Sequence, residues 1–452
     1  MTVTRYINEG LALARQGELR QAALLLCLAV KLDPDRAEAY RHLGEVLIPL
    51  QRWEDAEACF FRAVALQPHF PEAHNYLGVV LNHKKDLSGA EACYQRAIGQ
   101  NPGYAEAYHN LGSCFKQANR IDEAEACYRR ALELQPDLRD SRFSLATLYL
   151  LRGEYELGWQ LHESRWQGDF RLDIPLWQGE DLTGCKILLF FEQGYGDMLQ
   201  FVRYAYIVAK QAAVTVWIQK PLKRLLAGSQ TAFSVCTGRT LPEESFDYAC
   251  SLLSLPFHCK TSLATIPNDV PYLHAGAEIT ARWRDKIDAA AGGRCRVGVV
   301  WAGNPEHSDD ANRSIAFALF GRLFSVEGIA FFSLQAGGKS RQLPSLPSEV
   351  FDCCGQLADF AETAGVIANL DLVIAVDTAV AHLAGAMGKK TWLLLPFKPD
   401  WRWGLDREDS PWYPTMRLFR QRQPGDWQEV LERVAAALHR RIKASAQNTA
   451  GS

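Results

Sequence analysis

Over roughly the first third of the chain the apolar pattern repeats every 34 residues, with near-identical blocks opening AEAYRHLGEVL at Ala37, PEAHNYLGVVL at Pro71 and AEAYHNLGSCF at Ala105. Gly44, Gly78 and Gly112 recur at one place in the block, Ala56, Ala90 and Ala124 at a second, and Ala63, Ala97 and Ala131 at a third. Pro34, Pro68, Pro102 and Pro136 mark the joins. Small residues at fixed places let two helices approach closely, and a proline stops the second helix before the next block begins. A fixed period of this length is the mark of a repeat architecture, so each block predicts a helix pair. An imperfect pair is expected from about Val3, and a degenerate one from Arg139, where Ala146 replaces the glycine. Cys59, Cys93 and Cys127 share one position in the second helix, each before an aromatic, and read as packing residues.

After Glu163 the period is lost, and RWQGDFRLDIPLWQGEDLTG reads as a packed linker. From Lys186 short apolar runs alternate with helical segments: KILLFF, a helix from about Asp197, VTVWI, another helix, then FDYACSL. A second series starts with RVGVVWAG at Arg296. It runs through IAFFSLQ, a helix from about Asp359, DLVIAVDT, a helix from Thr378, TWLLLP and MRLFR to a terminal helix near Trp427. Strands alternating with helices imply parallel sheets. The expected organisation is a helical solenoid over 1–165, a linker over 166–183, a Rossmann-like α/β lobe over 184–276, a connector over 277–293 and a second Rossmann-like lobe over 294–452. The carboxyl ends of the two sheets would face one another across a cleft.

Composition narrows the partners. With 48% hydrophobic and 22% charged residues among 452, the chain is an ordinary globular one, and a formal net charge of -3 offers no footprint for nucleic acid. The opening MTVTRYINEGLALARQGELR lacks a basic then apolar leader, and no apolar run approaches the ~18 residues of a membrane span. A soluble, cytoplasmic protein is expected. The twelve cysteines are scattered without a C-x-x-C pattern and read as reduced core thiols, the adjacent Cys353 and Cys354 included.

The 34-residue blocks resemble tetratricopeptide repeats, an α-solenoid whose concave face holds a peptide or protein; self-association is the alternative use. In the protein O-GlcNAc transferases a ladder of asparagines grips the acceptor backbone. Asn110 matches that position, while Tyr76 and His42 replace the asparagine in the neighbouring blocks. The departure suggests recognition of one particular partner surface through Asn110, Tyr76 and His42.

A second resemblance rests on DTAVAHLAGAMG, which starts at Asp377 after a buried apolar strand. It is similar to the donor-binding motif of family 9 glycosyltransferases, the heptosyltransferase group. Asp377, Thr378, Ala379 and His382 match. A helix N-terminus there suits a diphosphate through its free amides and dipole, although Asp377 and Thr378 can equally cap the helix. The resemblance implies that Asp377 touches sugar or ribose hydroxyls. His382 either faces the cleft or locks helix to sheet.

In the first lobe FFEQGYGDMLQFVRY carries Gly194, Gly196 and Asp197. The matching aspartate of the heptosyltransferase pattern is the proposed base that deprotonates the acceptor hydroxyl. Asp197 therefore reads as base or as helix cap, with Glu192 in reserve. The loop WAGNPEHSDDANRSI from Trp301 offers Asn304, His307 and Arg313. By resemblance a cation there neutralises the leaving diphosphate, which Arg313 can do where the family's lysine is absent. FSLQAGGKS supplies Gln335 and Lys339 toward base or ribose, and Trp401 and Trp403 either line the acceptor side or pack at the lobe junction.

These resemblances together imply a GT-B-like pair of lobes, the first reduced to about 90 residues, behind a repeat arm. The implied activity is inverting transfer of a sugar from a nucleotide-sugar to a protein hydroxyl, without metal or other cofactor. Bacterial proteins of this combination include modifiers of flagellin, which makes flagellin the leading acceptor. Two rival readings are a non-catalytic scaffold or sensor that binds a nucleotide-sugar, and a lipopolysaccharide-type transferase that uses its repeats to form a homo-oligomer. No nucleic acid and no membrane insertion are expected.

Overall fold

The computed structural model describes residues 2–166, 172–229, 232–238, 241–242, 244–307, 309–336 and 350–450, the last six by backbone alone. Its contacts divide the chain into two units, Met1–Leu148 with Leu161–Arg165, and Tyr149–Gln160 with Trp166–Ser452.

Ten helices make five hairpins: α1 (Val3–Arg15) with α2 (Leu19–Leu32), α3 (Ala37–Leu47) with α4 (Trp53–Leu66), α5 (Pro71–His83) with α6 (Leu87–Gln100), α7 (Ala105–Gln117) with α8 (Ile121–Leu134), and α9 (Arg139–Arg152) with α10 (Tyr155–His162). First helices begin at 3, 37, 71, 105 and 139, so the period of 34 residues holds even through the outer pairs, whose sequence is degenerate. The recurring glycines set the helix spacing. A methyl group on Gly44, Gly78 or Gly112 would lie 2.6, 2.6 or 2.8 Å from the ring of Phe60, Tyr94 or Tyr128, which are all buried. Cys59 and Cys93 are buried beside them, and burial pushes the Cys59 thiol up to about 12, too high for a nucleophile at neutral pH. The fifth hairpin is shared: residues 149–160 count with the second unit.

In the second unit, β1 (Lys186–Phe190), β2 (Ala213–Trp217), β3 (Ser234–Cys236) and β4 (Tyr248–Ser251) form a parallel sheet in the order β3-β2-β1-β4. Around it run α11 (Tyr195–Phe201), α12 (Arg203–Val208), α13 (Lys223–Gly228) and α14 (Leu255–His258). β3 is too short to register in the apolar pattern. Part of the linker joins this sheet: Leu176 bridges Ala249 beside β4, with Trp177 N–H on the Ala249 carbonyl at 2.9 Å.

The connector is itself a helix, α15 (Ala277–Ala291), ending at Gly292 in the left-handed conformation at φ 55°. It packs on α18 (Phe360–Ala368) of the second sheet region, reached through the short α16 (Asp310–Arg313) and α17 (Phe317–Phe320). That sheet holds β5 (Cys295–Val300), β6 (Ile329–Ser333), β7 (Val350–Asp352), β8 (Leu372–Val376), β9 (Thr391–Leu395) and β10 (Met416–Arg420), all parallel, in the order β10-β9-β8-β5-β6-β7. α19 (Ala379–Ala386) follows β8, and α20 (Trp427–Ala450) closes the chain. β6 and β8 are covered on both faces and buried at every residue, which is why β8 is apolar throughout and β6 departs only at Ser333, whose hydroxyl lies 3.4 Å from Cys354 Sγ. The fold is thus an α-solenoid followed by two Rossmann-type α/β lobes. No described helix is long and apolar enough to cross a membrane.

The glycine argument has a measurable consequence. Gly78→Ala is expected to destabilise the repeats by about 1–2 kcal/mol, overpacking against Tyr94 exceeding the gain in helix propensity. Gly99→Ala in α6 meets nothing within 4 Å and should stabilise by up to about 1 kcal/mol. Urea unfolding of both variants separates the two signs.

Candidate active site

Strand order locates the site. In the second lobe β5 leads outward to β6 and β7, whereas β8 leads the other way to β9 and β10, so the order reverses between β5 and β8. In the first lobe it reverses between β1 and β4. Ligands of open α/β sheets bind beyond the carboxyl ends of strands at such switch points, because the loops diverge there and leave a crevice. The loops leaving these strands are the ones carrying the motifs: Phe191–Gly194 after β1, Trp301–Asp309 after β5, and Asp377–Thr378 after β8.

Two of these loops meet. α11 and α19 pack together, and a Cβ on Gly196 would lie 3.0 Å from Cδ2 of His382 and 3.5 Å from Nε2. Glycine lets the turn close on the imidazole edge without displacing it. Thr378 occupies the N-cap position of α19 yet makes no capping bond, and its Oγ1 is buried without a hydrogen-bond partner. The amides of Ala379 and Val380, opening the helix, have no preceding turn to donate to. An unpaired buried hydroxyl costs about 1–3 kcal/mol, which an anionic oxygen at this helix end would recover.

Asp377 is engaged from its own lobe. Trp403 Nε1 donates to its Oδ2 at 2.8 Å, and His382 Nε2 stands 3.7 Å from Oδ1. Burial alone would raise the Asp377 pKa, but His382, Trp403 and the Arg402 charge outweigh it and hold the carboxyl below its ordinary value. His382 is buried, with Nδ1 2.9 Å from the Tyr413 hydroxyl. It therefore both locks α19 to its surroundings and turns its other nitrogen toward Asp377 and Gly196.

Asp197 is placed as a helix cap that is also paired with a cation of the other lobe. Its Oδ2 accepts the Gly194 N–H at 3.0 Å, capping α11, while Oδ1 accepts from Arg402. Arg402 and the adjacent Trp403 thus take one motif aspartate each, and both were missed as partners in the sequence. Their signal is the W-R-W run just beyond the buried strand β9, which places a cation between two tryptophans. Glu192 lies half-buried in the turn after β1.

Other candidates are placed differently. Gln335 is turned inward: its Oε1 accepts the N–H groups of Trp301 and Ala302 at 3.2 and 3.0 Å, and its amide donates to the Ala302 carbonyl at 2.9 Å. Buried backbone at the end of β5 needs those partners, so Gln335 is a strut and not a ligand contact. Trp401 is buried edge-on against Trp159, with Phe201 and Trp412 completing a cluster of four rings, so it takes the packing role at the lobe junction. Asn304 accepts from Glu306 N–H at 3.1 Å and shapes its own turn. Arg313 lies over Gly303, where a Cβ would meet its Nε at 2.8 Å, and stands 3.7 Å from Asp310; its Nε has no hydrogen-bond partner. Lys339 falls outside the described residues. A surface groove lined by Leu273, His274, Arg284, Met387 and Lys389 lies at the opposite end of α19, and Lys389 there is spent on the Ala368 and Leu370 carbonyls.

On the repeats, the three equivalent positions are tied to neighbours. Asn110 Nδ2 donates to Asn75 Oδ1 at 2.9 Å, His42 Nδ1 lies 3.1 Å from Glu45, and Tyr76 stacks on Phe60. They do not form the free amide row of a backbone-gripping ladder.

Known proteins resemble two parts of the chain. Tetratricopeptide repeat models match residues 7–58, 50–105 and 105–138, and the Glycosyltransferase family 9 (heptosyltransferase) model matches 339–440. The chain joins tetratricopeptide repeats to a heptosyltransferase-like domain, and the latter match points to glycosyltransferase chemistry. It takes in Asp377, His382 and Arg402 but neither Asp197 nor Arg313. Protein FlbA of Caulobacter vibrioides is 26% identical over 332 residues, 67% of this chain and 55% of that protein. The chain therefore spans little more than half the length of this relative. Similar solved structures include MamA, at 23% identity and TM-score 0.31, covering 34% of this chain and 91% of that one. Pseudomonas aeruginosa pilF follows at 24% and 0.35, covering 38% and 78%. YrrB, described as a TPR protein with an unusual peptide-binding site, stands at 24% and 0.30, covering 36% and 86%.

The acid behaviour of this unit follows from its carboxylates. Glu362 accepts from Arg282, Arg224 and Trp283, at 2.6, 3.2 and 3.0 Å. Burial would raise its pKa, but these donors lower it, and Asp371 beside Arg296 is lowered in the same way. A depressed carboxylate contributes stability that is complete above its unfolded pKa, about 4.3 for glutamate, and is lost as pH falls through the native value. Glu362→Gln should cost about 1–3 kcal/mol at pH 7, with the gap to the wild type narrowing toward pH 3 in thermal melts.

Proposed function

We propose that the chain is a glycosyltransferase that moves a sugar from a nucleotide-sugar to a hydroxyl of a protein recruited by the repeats. The observation that carries this reading is the meeting of the Gly194–Asp197 turn with the α19 N-terminus through Gly196 and His382, at the switch points of two parallel sheets. A GT-B-like enzyme needs a place where diphosphate, anomeric carbon and base come together, and these loops are adjacent. The diphosphate would sit on the amides of Ala379 and Val380 with the Thr378 hydroxyl, and Arg313 would add charge from the β5 loop. Asp377 would take a sugar or ribose hydroxyl beside His382.

The reaction follows from that placement. The acceptor hydroxyl oxygen bonds to the anomeric carbon, its proton passes to Asp197, and the bond from that carbon to the diphosphate breaks with its electron pair kept by the diphosphate. Attack opposite the leaving group inverts the anomeric centre. Repeat arrays of this type support protein binding, and flagellin is the leading acceptor. No metal is assigned a role. The rival reading is a non-catalytic nucleotide-sugar sensor, and the engagement of Asp197 by Arg402 favours it to the extent that the carboxylate is not free in this structure.

Asp197→Ala separates the two. For the enzyme, calorimetric affinity for the nucleotide-sugar should stay within a few-fold while transfer, followed by intact mass of the acceptor, falls by about 10²-fold or more. Binding with no transfer by the wild type across UDP-, GDP-, ADP-, dTDP- and CMP-sugars supports the sensor.

A further inference from the structure

We propose that Arg402 is a further diphosphate-binding residue, held on Asp197 until the donor arrives and then passed from that carboxylate to the phosphate oxygens. This rests on reading the α11–α19 junction as the nucleotide-sugar site. The guanidinium is buried between the two motif aspartates: its Nη2 donates to Asp197, and the next residue, Trp403, holds Asp377. Its Nε donates to Gln200 Oε1 at 2.6 Å and its Nη1 to Asp400 Oδ1 at 2.8 Å. A guanidinium has five N–H donors, and these bonds use three.

The surrounding charge decides which contact yields. Asp197, Asp377 and Asp400 surround one cation, so a diphosphate adds further negative charge to a neighbourhood already in excess. It enters only if a carboxylate gives way. Asp400 belongs to the same turn as Arg402, and its Oδ1 also accepts the Arg402 backbone N–H at 3.0 Å, so the two move together. Asp377 is held by Trp403. Asp197 comes from the other lobe and keeps the Gly194 amide when Arg402 leaves. Arg420, which donates to the Trp403 carbonyl, is committed to backbone, and Arg313 of the β5 loop is folded over Gly303 toward Asp310.

The exchange has a chemical consequence. Oδ1 of Asp197 becomes available to take the acceptor proton only when a diphosphate has claimed Arg402, so donor binding arms the base. This order predicts donor-first binding.

The test is titration of inorganic pyrophosphate into the full-length protein, its Asp197→Asn variant and its Arg402→Lys variant, each checked for folding by its thermal melt. Asn keeps an oxygen for the Gly194 amide and removes the competing charge. D197N should bind pyrophosphate roughly three- to tenfold tighter than the wild type, and R402K more weakly by a similar factor. A carboxylate that acted only through its charge would give the same gain with Arg402 replaced, whereas the exchange predicts that the gain is lost in the D197N/R402K double variant. If the wild type binds but D197N is unchanged or weaker, the exchange is wrong and the site reading stands; if D197N does not fold, the R402K arm decides alone. A wild type that binds neither pyrophosphate nor any of UDP, GDP, ADP, dTDP and CMP overturns both.

Discussion

At Gly196 there is space for a hydrogen atom and little else. The His382 ring lies against it, and through that contact the first turn of α11 is held on the first turn of α19. Each helix follows a strand at a point where its sheet changes direction, so two crevices that would otherwise open separately are joined into one place. A methyl group on residue 196 would press on the imidazole that bonds Tyr413. The unpaired Thr378 hydroxyl and the two paired aspartates lie around this approach.

Buried cations then tie the arrangement down. Arg203 donates to the carbonyls of Pro267 and Trp412 and to the Tyr272 hydroxyl, and Arg402 donates to Gln200 and Asp197 from the opposite lobe. A guanidinium withdrawn from water is costly unless its donors are met in good geometry, so these contacts fix position as much as they add stability. Trp159, from residues 149–160, packs against Trp401 in the same region. The result is a rigid junction in which few groups are free to respond to a ligand. Arg402, with donors to spare and a partner on the other lobe, is one of them.

The repeats were legible because their period is carried by small residues that packing demands: Gly44, Gly78 and Gly112 each face an aromatic ring, so the spacing of α3, α5 and α7 is written directly in the chain. Five-residue apolar runs such as β8 were equally plain. β3 and β7, three residues each, were not, because three residues carry no period. The motif aspartates stood out by their place after apolar runs, but their partners did not. Arg402 and Asp197 are separated by about 200 residues, and no local pattern announces a contact of that kind. Gln335 and Trp401 show the converse error, since a polar or aromatic residue at a strand end looks like a ligand contact until the backbone it supports, or the rings it packs among, are known.

The central claim is that the α11–α19 junction receives a diphosphate, and a crystal structure of the full chain with a bound nucleoside diphosphate tests it most directly. The account predicts phosphate oxygens on the amides of Ala379 and Val380, beside the Thr378 hydroxyl and opposite the Gly194–Gly196 turn. A nucleotide bound elsewhere, with that junction closed and Thr378 still unpaired, would contradict it.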